Sequence, residues 1–119
     1  MIRIKRAYDD LTPADGKRVL VDRLWPRGKS KQDLDLEEWM KEVAPSGELR
    51  KWFHHDREKW EEFRARYFQE LEDRPETWQP LLQMAQDETL TLIYSAKDRE
   101  HNNAVALKEF LESRLDEAR

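Results

Sequence analysis

RVLVDRLWPRG, residues 18–28, passes from an apolar run directly into a polar loop. The continuous apolar run at residues 19–21 is typical of a strand that is covered on both faces. Pro26 and Gly28 are expected to end this strand, because both residues favour turns. Residues 89–98, TLTLIYSAKD, repeat the pattern with residues that favour strands followed by polar ones. The sequence therefore predicts two strands that each lead into a polar loop.

Outside these two strands, the hydrophobic spacing predicts one more strand and several helices. Apolar and polar residues alternate from Ile2 to Tyr8, as in a half-buried strand, and a loop follows from Asp9 to Gly16. Apolar residues recur at helical spacing through the middle and the end of the chain. The predicted helices run from Leu34 to Val43, after a Ser46 cap, after an Asp56 cap, from Pro75 onward, and from Arg99 to Leu115.

Strands that alternate with helices predict an α/β fold. We expect a small, mostly parallel sheet of about three strands flanked by four to five helices, in a Rossmann-like layering. The chain has only Gly16, Gly28 and Gly47, so neither a GxGxxG loop nor a Walker loop can be built, and no cofactor is predicted. The first connection is only about eight residues long, which is short for a parallel crossover. The pairing and direction of the first two strands therefore stay open.

Length and composition restrict the class of protein. The 119 residues fit a single domain, residues 1–119, and the absence of cysteine excludes disulfides and thiolate metal sites. Neither a signal peptide nor an apolar span of about 20 residues is present, which predicts a cytoplasmic protein with no membrane partner. Adjacent histidines at residues 54–55 point apart on a helix or strand, so no metal site is predicted. The oligomeric state is not determined by these features.

Charge is distributed unevenly along the chain. Residues 1–31 hold nine Lys or Arg against four Asp or Glu, a net charge of +5, whereas the remaining 88 residues hold thirteen against twenty-two, a net charge of −9. A basic beginning can attract anions locally, while the acidic remainder opposes broad contact with a nucleic-acid backbone. Ordinary solvated charges are the alternative interpretation.

The two polar loops contain the candidate site. In open α/β sheets, ligands bind outside the carboxyl ends of the strands, and arginine and lysine are the residues that bind carboxylate or phosphate. The predicted ligand-binding residues are Arg23, Arg27, Ser95, Lys97, Asp98 and Asn102. Asp22 and His101 are the candidate groups for moving a proton.

Each candidate also has a structural interpretation. Asp22 lies beside a buried strand and is expected to pair with a cation such as Arg23 or Arg6. Asp98 suits the cap of the last helix. His101 near a helix start is disfavoured as a cation, which suits a general base, but an ordinary surface histidine is an equal alternative.

Two motifs resemble a known family, the YeaO-like proteins of domain of unknown function 488. They are VDRLWPRG at residues 21–28 and LIYSAKD at residues 92–98, and their combination is specific. Further matching residues are Trp39, Val43-Ala44-Pro45-Ser46, Leu49-Arg50, Phe53-His54, Phe63, Tyr67, Glu70-Leu71, His101-Asn102 and Ala104. The resemblance implies a compact α/β domain with no agreed activity. Longer relatives carry Cys-His-Arg where this chain has residues 101–103, His-Asn-Asn, so no thiol chemistry carries over.

Three functions follow from these observations. The first is an enzyme or sensor that binds a small anionic or phosphorylated ligand at the two loops. The second is a nucleic-acid-associated module that uses the basic residues 1–31, and the acidic remainder makes it the weaker hypothesis. The third is a structural or protein-interaction domain in which Asp22, Arg23 and Arg27 form an ion network. Whether the two loops meet around a pocket distinguishes the first from the third.

Overall fold

The computed structural model describes residues 1–117 as a four-stranded parallel sheet with helices packed against it. The strands are β1 (Ile2–Arg6), β2 (Lys17–Leu20), β3 (Glu38–Trp39) and β4 (Leu90–Tyr94). Their order across the sheet is β1-β4-β2-β3, and all three pairings are parallel. The predicted α/β class and parallel sheet are confirmed. The open question of the first two strands is also settled, since β1 and β2 lie on opposite sides of β4 and run in the same direction.

Both faces of the sheet are covered, as the apolar strand sequences predicted. Leu92 and its neighbour Val19 face the larger core, while Ile93 and its neighbour Leu20 face a smaller cluster on the other side. All five side chains of β4 are buried. This period of two along adjacent strands fixes the register, because a slip of one residue would exchange the two faces.

Most of the helices cover the larger core face. The helices are α1 (Lys31–Leu34), α2 (Gly47–Phe53), α3 (Trp60–Asp73), α4 (Gln79–Asp87) and α5 (Asn103–Glu117), with short 3-10 turns at Pro13–Asp15, Lys41–Val43, Arg57–Lys59 and Pro75–Thr77. The predicted Ser46 cap is confirmed, since its hydroxyl accepts a hydrogen bond from the Leu49 amide at 3.1 Å. Within residues 1–117, no helix is both long and apolar enough to pass through a bilayer.

One helix prediction is wrong. The segment predicted as one helix from Leu34 to Val43 is instead the end of α1, the edge strand β3 and a 3-10 turn. Its apolar residues mimic helical spacing, but Asp35 has left-handed backbone (φ 44°), and it ends α1 after one turn. Trp39 then pairs with Leu20 of β2 and lies on the sheet. Pairing with a neighbouring strand overrides a short periodic pattern here.

The last helix begins later than predicted. It starts at Asn103 rather than Arg99, so Asp98 does not cap it. The cap is Asn102, whose side-chain oxygen accepts a hydrogen bond from the Val105 amide at 3.0 Å. Asp98 instead accepts the Glu100 and His101 amides at 2.9 and 3.1 Å, which holds residues 98–101 in a turn. The four residues predicted as helix are therefore the loop that follows β4.

Candidate functional site

The two polar loops meet at the carboxyl edge of the sheet and enclose a cavity of about 650 Å³ with the 44–55 region. Asp22, two residues after the end of β2, links the two loops. One carboxylate oxygen accepts the Ser95 amide at 2.9 Å and the other accepts the Asn103 side-chain amide at 3.0 Å. Asn103 also donates to the Val21 carbonyl at 3.1 Å, which fixes the start of α5 against the end of β2.

The partners of Asp22 differ from those predicted. No cation among residues 1–117 lies within salt-bridge distance of its carboxylate, so the expected pairing with Arg23 or Arg6 is wrong. Arg6 instead donates hydrogen bonds to the carbonyls of Ser95 and Ala96, at 3.0 and 2.9 Å. Burial raises the pKa of Asp22 above its usual value, because desolvation outweighs the hydrogen bonds from Asn103 and Ser95 and the charge of Arg50, which favour the carboxylate.

We expect Asp22→Ala to destabilise the protein by about 2 kcal/mol, because two partly buried donors lose their acceptor. Ser95 and Asn103 would be left without that partner, and the two loops would lose their direct link. Urea denaturation checks the value. Asp10→Ala, at an exposed residue in the β1–β2 connection, serves as the matched control and should change stability little. A loss for Asp22→Ala no larger than for Asp10→Ala would contradict the bridging role.

Four cationic side chains line the cavity, namely Arg23, Arg27, Arg50 and Lys97. Within residues 1–117, none of the four has a carboxylate oxygen within 4.0 Å. Most other arginines of the described chain form ion pairs, for example Arg18 with Asp15 and Arg64 with Glu109. The cavity therefore holds four cations that make no ion pair within the described chain.

Arg23 differs from the other three cations because one of its donor atoms is buried without a partner among residues 1–117. Its only hydrogen bond within residues 1–117 is a long one, 3.4 Å, to the Pro45 carbonyl. Its Nε atom is buried and has no acceptor among those residues. A buried donor without a partner costs about 1–3 kcal/mol. A bound anion that drew this guanidinium toward itself would supply the missing acceptors.

The loop after β4 uses its polar residues mostly to hold its own shape. Ser95, Asp98 and Asn102 line the cavity, as Lys97 does. Asn102 is 2% exposed; it caps α5 and donates to the Asp98 carbonyl at 2.9 Å. Hydrogen bonds from the Glu100 amide, together with those from His101 and Arg57, hold the pKa of Asp98 well below its usual range. Asp98 is therefore a carboxylate that is already bound on its own loop.

His101 does not line the cavity, unlike the other predicted site residues. Its Nδ1 lies 3.1 Å from the Asp98 carboxylate, and its ring packs edge-on against Trp60 with centroids 5.3 Å apart. The imidazole therefore positions the turn of residues 98–101. Asp22 is the proton-transfer candidate that borders the cavity.

Two residues that were not predicted as site residues, Arg50 and Trp25, also line the cavity. Arg50 is carried on α2, and its neighbour Leu49 anchors that helix in the core. Trp25 lines the cavity, is half-buried and packs against the smaller core cluster. Its indole N–H donates to the Lys29 carbonyl at 2.6 Å, and its ring meets Trp39 edge-on at 5.4 Å. The Leu49-Arg50 pair within the family resemblance was the signal available for Arg50.

No group of three or more His, Cys, Asp or Glu side chains within residues 1–117 has an arrangement that would hold a metal ion. The cations described above are the wrong charge for metal ligands, and Asp98 is occupied by its own loop. An anion fits the chemistry of this cavity better than a cation does.

A family model described as "Inactive DUF488-N3 subclade" matches residues 1–119. The chain belongs to this DUF488-N3 family. It is 46% identical over 112 residues to uncharacterized protein YeaO of Escherichia coli K12, a match that covers 94% of this chain and 97% of YeaO. It is 53% identical over 72 residues to uncharacterized protein Rv3073c of Mycobacterium tuberculosis H37Rv, covering 60% of this chain and 61% of that protein. No solved structure matches the chain significantly.

The YeaO-like resemblance inferred from the two motifs is thus confirmed. In this DUF488-N3 chain, both motifs border the same cavity: the first contributes residues 22–27 and the second residues 95–98. The segments that identify the family are therefore the segments that meet in space. Residues 101–103, the position of the Cys-His-Arg sequence of longer relatives, provide a turn contact, a helix cap and a bridge to Asp22.

Proposed function

We propose that this protein binds a small anionic ligand in the cavity between the loops after β2 and β4. Arg23, Arg27, Arg50 and Lys97 supply the positive charge, and the start of α5 lies beside them. The observation that carries the proposal is their lack of any carboxylate partner within the described chain, although acidic residues outnumber basic ones, 26 to 22. Guanidinium groups bind carboxylate or phosphate in two-point fashion, and lysine adds a point charge.

Binding, rather than catalysis, is the activity that we propose. The family description names an inactive subclade, which supports this choice. Both oxygens of Asp22 already accept hydrogen bonds, and the ring of His101 contacts Asp98 and Trp60 outside the cavity lining. Asp22 then has a structural role, holding Ser95 and the start of α5 in the geometry that exposes the cations. Ser95, Asp98 and Asn102 shape the wall of the site.

A nucleic-acid surface on residues 1–31 receives less support. Several cations of that segment are occupied by contacts within the chain. Lys5 and Arg18 bind Asp15, Lys17 lies near Glu88, and Arg6 binds backbone carbonyls. Arg23 and Arg27 make no such ion pair with residues 1–117, and they line a cavity instead of spreading over a face.

Pyrophosphate is expected to stabilise the folded protein in a thermal titration. A ligand that binds only the folded state adds about 2.7 kcal/mol of stability at a concentration of 100 times its Kd. Lys97→Gln should weaken the apparent affinity about fivefold, the upper range for one exposed charge. Added NaCl should weaken binding further, because the exposed charges are screened.

The matched control is Lys51→Gln, which removes an exposed lysine on α2 that does not line the cavity. This variant should bind pyrophosphate with nearly the wild-type affinity. The proposal would be refuted if neither pyrophosphate nor citrate shifted the melting temperature at low salt. Equal losses in the two lysine variants would also count against it, because the effect would then be one of overall charge.

A further inference from the structure

The size and lining of the cavity specify more than the charge of its ligand. Cavities of roughly 300–1,000 Å³ hold drug-sized organic molecules, and this one measures about 650 Å³. An inorganic phosphate, with five heavy atoms, would leave most of that volume unused. We infer that the ligand is an organic anion in which an aromatic ring carries a phosphate or carboxylate group. This inference rests on the proposed anion site and specifies the class of ligand that the site takes.

Apolar side chains from three separate segments form much of the wall. Leu24 and Trp25 come from the loop after β2, Pro45 precedes α2, and Phe53 ends α2. Phe53 stacks on Phe63 of α3 with ring centroids 4.3 Å apart, and both rings border the cavity. The indole N–H of Trp25 donates to the Lys29 carbonyl, so the rest of the ring is apolar.

The exposed side chain of Leu24 favours a ligand with an apolar part. It is 63% exposed, one of the few large hydrophobic side chains of the described chain that stand in solvent, and it lies on the cavity border. Covering it removes apolar area from water, which is favourable. A small inorganic ion cannot cover it, and a purely apolar molecule would cover it while leaving the four cations without counter-ions. A ring that carries an anionic group meets both requirements.

Two matched pairs of compounds test the inference by isothermal titration calorimetry. Phenyl phosphate is compared with methyl phosphate, and benzoate with acetate, so that each pair differs by the ring. Burying one face of a ring against this wall is expected to improve the affinity at least tenfold in one of the pairs, given about 25 cal/mol per Å² of apolar area. Phenol, the ring without the anionic group, should bind far more weakly than phenyl phosphate.

Leu24→Ser tests where the ring lies, and Leu11→Ser is its control. Leu11 is 37% exposed in the β1–β2 connection and does not line the cavity. We expect Leu24→Ser to reduce the gain from the ring severalfold, measured as the ratio of the phenyl phosphate affinity to the methyl phosphate affinity, and Leu11→Ser to leave this ratio unchanged. Since both side chains are exposed, both variants should fold.

The possible failures separate the two proposals. If ring and ringless anions bind equally, the inference about the ligand is overturned and the anion site stands. If no anion in either pair binds, the proposed function itself fails. If phenol binds as tightly as phenyl phosphate, or if the gain from the ring persists fully in Leu24→Ser, an aromatic anion in this cavity is refuted.

Discussion

Replacing Arg27 and Arg50 together by glutamine is expected to lower the affinity for pyrophosphate about 100-fold, since each charge-assisted contact contributes about 1.4 kcal/mol, or tenfold. The two arginines approach the cavity from different elements, the loop after β2 and helix α2. Neither guanidinium makes an ion pair or a hydrogen bond within residues 1–117. The double variant should therefore keep the wild-type melting temperature without ligand, which isolates the effect on binding.

The control for this prediction is Arg3→Gln with Arg66→Gln, which also removes two positive charges but leaves the cavity lining intact. Arg3 donates to the Ala14 carbonyl on the β1–β2 connection, and Arg66 lies on α3. A loss of at most a few fold is expected for this pair, because salt screens exposed charges beyond a Debye length of about 10 Å. Equal losses in the two double variants would show that the protein attracts anions by overall charge, with no site.

Three of the four strands could be predicted, because β1, β2 and β4 show the alternation, the apolar run or the strand-favouring residues that are typical of strands. The apolar run at residues 19–21 is typical of a strand covered on both faces, and Val19 and Leu20 lie in β2 fully buried. Residues 90–94 are rich in residues that favour strands, and all five form the buried strand β4. The edge strand β3 was missed because it has two residues, and one of them, Trp39, also fits a helical pattern. A two-residue strand is defined by its partner, β2, and pairing at such a distance leaves no local signal.

The location of the site could be predicted from the topology of the sheet. Which side chains reach the cavity could not. The ends of parallel strands share an edge, so residues 22–27 and 95–98 had to be near each other once β2 and β4 paired. His101 was predicted to lie in the first turn of the last helix, but that helix begins at Asn103. This error of about one turn is why His101 was predicted as a site residue. Arg50 comes from α2, and nothing in the order of elements indicates that α2 faces the strand ends.

The second large effect is expected on stability, at Asp15, a buried charge that no sequence pattern indicated. Asp15 is fully buried in the β1–β2 connection, with Lys5 Nζ at 2.7 Å and Arg18 Nε at 2.9 Å. The Thr12 amide and hydroxyl each donate to it at 3.0 Å. This arrangement allows the chain to pass from β1 to β2 in ten residues, 7–16, and to enter β2 in the parallel direction.

We expect Asp15→Asn to destabilise the protein by about 3–5 kcal/mol, because it removes one partner of a buried ionic cluster and leaves the other charges uncompensated. The new side-chain NH2 would also face groups that are themselves donors. Urea denaturation gives the value, with Asp10→Asn as the control: Asp10 is exposed, and only its backbone carbonyl receives a bond from Lys5. A loss below 1 kcal/mol would contradict the assigned role of the cluster.

The acid dependence of stability gives Asp15 a second, independent signature. Burial opposes ionisation of Asp15, but the hydrogen bonds from Lys5, Thr12 and Arg18 outweigh it and hold its pKa well below the usual value of 3.8. Its contribution is therefore fully present above that value and is lost as the pH falls below it. Asp22 has the opposite sign, since its pKa is raised and its ionisation disfavours the folded state as the pH rises. Between pH 5 and pH 2, Asp15→Asn should therefore lose less stability than the wild type does, and parallel curves would show that another carboxylate controls the acid response.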